Sequence, residues 1–262
     1  MENVILLALV ATIGTWFITA MGAATVVFFK EGSPKAMNLM LGFSAGVMIA
    51  ASFWSLLSPA IERAEMYLSV PPWFVAAIGF AFGSGFMFLC DKAVRKISAK
   101  GETTRSISSS LLLVISITLH NIPEGLAVGV AFGAINQSVN MPDALMGAIS
   151  IAVGIGIQNF PEGAAVSVPL RREGYSRKKC FLIGQSSALV EPVAGVIGAA
   201  MVIHIQTMLP YALAFAAGAM MLVAVHELIP QAQEGRKEGS FLYTMGILGG
   251  FALMMILDVA LG

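Results

Sequence analysis

Apolar runs of about 20 residues recur along the whole chain, and nothing else in the sequence narrows its fold as far. Wound as a helix at about 1.5 Å per residue, such a run crosses the ~30 Å hydrocarbon core of a bilayer. Of the 262 residues 57% are hydrophobic and only 11% are charged, too little charge to cover a water-soluble domain of this length. The pattern predicts an all-α polytopic membrane protein, a single transmembrane domain over 1–262. Its eight spans fall at about 4–29, 39–60, 73–91, 108–134, 144–170, 181–203, 209–230 and 241–261. Turn and charge signals separate them: "KEGSPK" at 30–35, "SVPPW" at 69–73, "NQSVNMPD" at 136–143, "RREGYSRKK" at 171–179 and "QEGRKEGS" at 233–240.

Eight spans put both termini on one side. The loops after spans 1, 3, 5 and 7, with the adjoining span ends, hold 14 of the 15 Lys and Arg, and only Arg63 lies opposite. Cytoplasmic loops carry the basic excess, so both termini are predicted to be extracytoplasmic, in a plasma or inner membrane. The first span has no basic leader and reads as a retained helix. Cys90 and Cys180 fall at cytoplasmic span ends without a C-x-x-C and read as thiols with no role. The 3–4 connection, about 92–107, is basic and Ser/Thr-rich, with no His-rich tract to bind metal. The partner expected from composition is the lipid bilayer, not nucleic acid.

Ionisable residues inside a span are costly and mark functional sites. Here they are His120 and Glu124 in span 4, Glu162 in span 5, Glu191 in span 6, His226 and Glu227 in span 7, and Asp258 near the outer end of span 8. His204 sits at the outer end of span 6. Glu124, Glu162 and Glu191 all fall within about one and a half turns of the midplane. Three carboxylates at one depth cannot all stay ionised without cations between them. They are either protonated or hold a metal, and a divalent ion is the economical answer.

Their neighbours favour metal. "HNIPEGLAV" at 120–128 and "QNFPEGAAV" at 158–166 match at six of nine positions. On a helix His120, Asn121 and Glu124 project from one face, as do Gln158, Asn159 and Glu162. The proline after each Asn has no N–H and loosens the carbonyls of Leu119 and Ile157, which predicts broken helices lining a cavity. Glu191-Pro192 adds a third element at the same depth. Consecutive spans are antiparallel, so the two motifs form an inverted-topology repeat, a signature of secondary transporters with a midplane site.

The sequence resembles the ZIP family of zinc and iron-regulated transporter-like proteins. "HNIPEG" at 120–125, "QNFPEG" at 158–163, Glu191 and the eight spans carry the resemblance, and Gln158, where many members have His, is similar to the GufA-like branch. The resemblance implies a 3+2+3 helix arrangement with a two-metal site between spans 4, 5 and 6. His120, Glu124, Gln158 and Glu162 would form the first position. Asn121, Asn159 and Glu191 would form the second, with Glu124 and Glu162 bridging. It also implies a thioether from span 2, which "SAGVM" at 44–48 places at Met48, a residue that ordinary packing would equally explain. The metal is cargo, divalent d-block cations moved into the cytoplasm by a sliding or rocking bundle, and no cofactor is implied. Gln in place of His leaves a site richer in oxygen, so broad selectivity is expected: zinc first, with Cd, Mn or Fe(II) also carried.

His226 and Glu227, near the cytoplasmic end of span 7, would form an exit site or an interfacial pair. Glu62 and Glu65, at the outer end of span 2, would gather cations at an entrance or simply solvate a loop. Glycines at four-residue spacing, Gly42/Gly46, Gly79/Gly83 and Gly246/Gly250, predict helix packing, with a homodimer interface as an alternative. A membrane-embedded metal hydrolase needs several converging His, and the three present lie at three depths. "HELIP" is not H-E-x-x-H. A proton-coupled carrier of an organic solute would not explain the paired Asn residues. No Walker motif is present, and inward movement of a divalent cation gains roughly 4.6 kcal/mol per 100 mV, twice the ~2.3 per charge. An enzymatic activity is therefore not expected.

Overall fold

The computed structural model describes residues 2–28, 34–100, 109–137, 140–204, 206–233 and 241–261. The connections expected at 30–35, 92–107, 136–143 and 233–240 fall wholly or partly outside these. Among the described residues every regular element is helical, and seven helices are long and apolar enough to cross a membrane. The chain is thus a multi-pass, all-helical membrane protein.

The helical stretches are α1 (Glu2–Phe28), α2 (34–67), α3 (Pro72–Lys100), α4 (Ser109–Gly133), α5 (Met141–Arg172), α6 (177–204), α7 (Leu209–Gln233) and α8 (Leu242–Leu261). Prolines open α5 and α7 within their first two positions, where the missing N–H has no intrahelical partner to lose. Ser176 caps α6 by accepting from the Lys179 N–H. The reversal before it turns on Gly174, whose φ of +94° suits only glycine.

The largest differences from the expected spans lie at two C-terminal ends. α2 continues to Tyr67, beyond residue 60, and α3 to Lys100, beyond residue 91. Hydropathy marks where the bilayer ends, whereas a helix carries on as long as its backbone bonds do. Glu62, Arg63 and Glu65 therefore lie on a helix and not in a loop.

α2 and α7 each contain a wide π turn, at Ser52–Leu57 and Ala224–Leu228, and each is followed by a proline, Pro59 or Pro230. A proline cannot donate to the carbonyl four residues back, and widening the preceding turn absorbs the mismatch. Such bulges gather at functional sites.

The most extensive helix seams are α2 on α8, α1 on α5, α4 on α6 and α3 on α7. α1 also packs on α4 and α6, α2 on α5 and α7, and α4 on α5 and α7. Glycines let these backbones touch: a Cβ on Gly163 would meet the Thr19 carbonyl. Gly42 and Gly46 face α8, and Gly246 and Gly250 face back onto α2, so these stripes serve packing within the chain. Buried polar residues concentrate where α1, α4, α5 and α6 meet: Thr15, Asn121, Glu124, Gln158, Asn159, Glu162 and Glu191 are each at most 3% exposed.

Candidate metal site

α4 and α5 run unbroken through Pro123 and Pro161, which corrects the expectation of broken helices there. The interruption lies instead in α6, where the helix closes at Ser186, turns through 187–189 and resumes at Val190. Pro192 cannot donate to the Ala188 carbonyl, and the Glu191 N–H takes that carbonyl in a tighter turn at 3.0 Å. Glu191 therefore sits in the first turn of the resumed helix, where unpaired N–H groups and the helix dipole favour a carboxylate. The Asn121 amide N–H donates to the Ser187 carbonyl at 2.9 Å and satisfies the interrupted backbone.

Side-chain bonds tie the elements together. The Gln158 amide Nε2 donates to Glu124 Oε1 at 2.6 Å, and Ser44 of α2 donates to the Gln158 carbonyl at 3.0 Å. Asn159 Nδ2 donates to Glu191 Oε1 at 2.9 Å and lies 3.5 Å from the Thr15 carbonyl. The Thr15 hydroxyl of α1 donates to Glu191 Oε2. Each amide thus spends its N–H group on a neighbour and turns its oxygen elsewhere.

Among the described residues five buried side-chain oxygens have no hydrogen-bond partner: Asn121 Oδ1, Glu124 Oε2, Gln158 Oε1, Asn159 Oδ1 and Glu162 Oε1. An unpaired buried polar atom costs about 1–3 kcal/mol, and native interiors hold few. All five belong to the two repeated motifs. Five acceptors and no donor suit a cation and repel an anion. Among the described residues no three His, Cys, Asp or Glu side chains come together closely enough to hold an ion. Amide oxygens would have to complete any shell.

His120 points to a different partner, its Nε2 lying 2.8 Å from Glu227 Oε1 on α7, both buried. The π turn at Ala224–Leu228 separates two adjacent residues that the sequence placed together. Glu227 enters the bundle, while the exposed His226 lies 3.5 Å from Asp91 on α3, which also pairs with Arg95. Met48 is fully buried on α2, one turn beyond Ser44.

A separate cavity of about 490 Å³ opens where α2, α4 and α8 end and α5 and α7 begin. Trp54, Glu62, Asp143 and Asp258 are among its walls. Asp258 accepts from Ser55 at 2.7 Å and Ser150 at 3.4 Å. Glu62 and Glu65 are both exposed, and Glu62 lines the cavity.

The sequence reading passed over Thr15, Ser44 and Ser187. A signal existed for the first: Thr12, Thr15 and Thr19 fall at three- and four-residue spacing on one face of an apolar helix. The neighbouring Trp16 indole N–H is shared by the Gln185 carbonyl at 3.1 Å and its side-chain oxygen at 3.2 Å.

A family model described as ZIP Zinc transporter matches residues 98–258. The chain is 38% identical to "Zinc transporter ZIP11" of Xenopus tropicalis, covering 98% of each. It is 35% identical to "Zinc transporter GufA" of Myxococcus xanthus, over 97% of this chain and 98% of that protein. It is 32% identical to "Zinc transporter ZIPB" of Bordetella bronchiseptica, over 93% of this chain and 78% of the relative.

Proposed function

The chain belongs to the ZIP family of zinc transporters, and on that premise we propose that it carries divalent transition-metal cations, zinc foremost, into the cytoplasm by alternating access. It is a transporter and not an enzyme, as its relatives are. One observation carries the reading of the site: five unpartnered buried oxygens, all from the two Pro-Glu-Gly motifs. Glu124, Gln158 and Glu162 with His120 hold one ion in this proposal. Asn121, Asn159 and Glu191 hold a second, Glu124 and Glu162 bridge, and Met48 supplies a thioether. The oxygen-rich donor set supports broad selectivity across Zn, Cd, Mn and Fe(II).

The proposed topology has eight spans with both termini extracytoplasmic. The 25-residue α4, apolar but for its motif, would be the eighth. The packing supports an inverted 3+2+3 repeat. Exchanging α1 with α6, α2 with α7, α3 with α8 and α4 with α5 maps the four main seams onto one another. The two π turns then correspond as well. The contacts of α1 with α4, α5 and α6 group those four helices around the site, with α2, α3, α7 and α8 beside it. A slide of the first group past the second would carry ions from the cavity holding Glu62 and Asp258 towards His226 and Asp91. No fuel is needed beyond membrane potential and cytoplasmic buffering.

Flux of radioactive zinc or cadmium into proteoliposomes tests this directly. Wild-type protein should exceed empty vesicles, and Glu124→Ala and Glu162→Ala should each lose at least about tenfold, the loss of one charged ligand contact. Wild-type flux equal to that of empty vesicles for every divalent ion tried would sink the proposal.

A further inference from the structure

Glu191 differs from the other two midplane carboxylates in having both oxygens engaged, by Asn159 Nδ2 at 2.9 Å and by the Thr15 hydroxyl. Glu124 and Glu162 each keep one oxygen without a partner. Thr15 is 2% exposed, halfway along the 27-residue α1, in a helix that bears none of the repeated motif. Its hydroxyl carries one proton and has two acceptors within reach, Glu191 Oε2 and the Thr12 carbonyl at 3.0 Å. Its own carbonyl faces Asn159 Nδ2 at 3.5 Å and so helps fix which end of that amide turns away.

We propose that Thr15 is a positioning residue for the second ion, a hydroxyl rotor that holds Glu191 until a cation takes the carboxylate. This deepens the transport reading and rests on it. While Glu191 carries no ion, the Thr15 proton satisfies Oε2. When a cation engages that oxygen, the hydroxyl turns to the Thr12 carbonyl, and no buried donor is left orphaned. The competing bond weakens the second position relative to the first. A transporter needs that difference, because an ion bound too tightly at either position is not released.

The test is zinc and cadmium binding to the purified full-length chain by titration calorimetry, with flux in parallel. Thr15→Val keeps the shape and removes the hydroxyl. It should tighten the weaker binding step by about tenfold, the scale of a hydrogen bond to a charged group. It should also lower KM and kcat together, because release slows. Thr15→Ser restores the hydroxyl and should restore wild-type binding and kinetics. Should Thr15→Val not purify as folded protein, Thr15→Ala removes the same hydroxyl and should give the same tightening. Wild-type binding and kinetics in either hydroxyl-less variant, or a serine variant that behaves like them, overturns the assignment. Those results are separable from failure of the transport reading, in which the wild-type protein itself carries no metal.

Discussion

Among the site residues, Gln158 makes the two motifs unequal. Its amide divides its labour, Nε2 to Glu124 and an unpartnered Oε1 left over. An imidazole at 158 would keep the donor through one ring nitrogen and offer the other as a borderline-soft ligand. Gln158→His should therefore raise the ratio of zinc to manganese flux several-fold in competition assays. Equal ratios before and after would show that position 158 does not set selectivity. The same residue-scale logic explains what the sequence concealed. Charged residues in a span stand out by their cost, so Glu124, Glu162 and Glu191 were legible. A threonine in a helix ordinarily bonds back to its own turn, as Thr12 and Thr19 do. The spacing of Thr12, Thr15 and Thr19 marks a polar face without singling out Thr15, whose hydroxyl also reaches Glu191, 176 residues away.

For the helices, hydropathy located all eight stretches but misjudged where two of them end and which one breaks. Pro123 and Pro161 resemble Pro192 in the sequence, yet only Pro192 follows an interruption, at 187–189. A proline inside a span is tolerated where neighbouring groups take up the freed backbone. The meeting of His120 with Glu227 was equally hidden, because it joins residues 107 apart in the chain, one of them inside a π turn of α7. The seams make a quantitative claim about small residues. A Cβ on Gly163 collides with the Thr19 carbonyl and the Ala23 amide, whereas Gly249 has nothing within 4 Å. Gly163→Ala should cost about 1–3 kcal/mol, the range for overpacking a tight interface, and lower the melting temperature in detergent. Gly249→Ala should melt as the wild type does. A Gly163→Ala protein as stable as wild type would mean that α1 and α5 do not touch there.

At the scale of the whole molecule, the orientation rests on the one-sided distribution of basic residues. It is checked in intact cells with Cys90 and Cys180 first replaced by serine. An impermeant maleimide should label a Glu2→Cys protein from outside and leave a Lys178→Cys protein, exposed in the basic stretch after α5, untouched until the membrane is opened. The reverse pattern would invert the map and with it the direction of transport. Three tryptophans punctuate the fold, and two of them stand beside the proposed path. Trp54 lines the cavity that holds Asp258, in edge contact with Phe251, and Trp16 adjoins Thr15 in the middle of α1. Trp73 lies apart from both and is 68% exposed. The protein therefore carries its own pair of lamps, one at the mouth and one at mid-depth. On the proposed path a paramagnetic ion such as Mn passing inward should dim Trp54 first and Trp16 second, and the order of the two flickers would give the direction of travel without any dye attached.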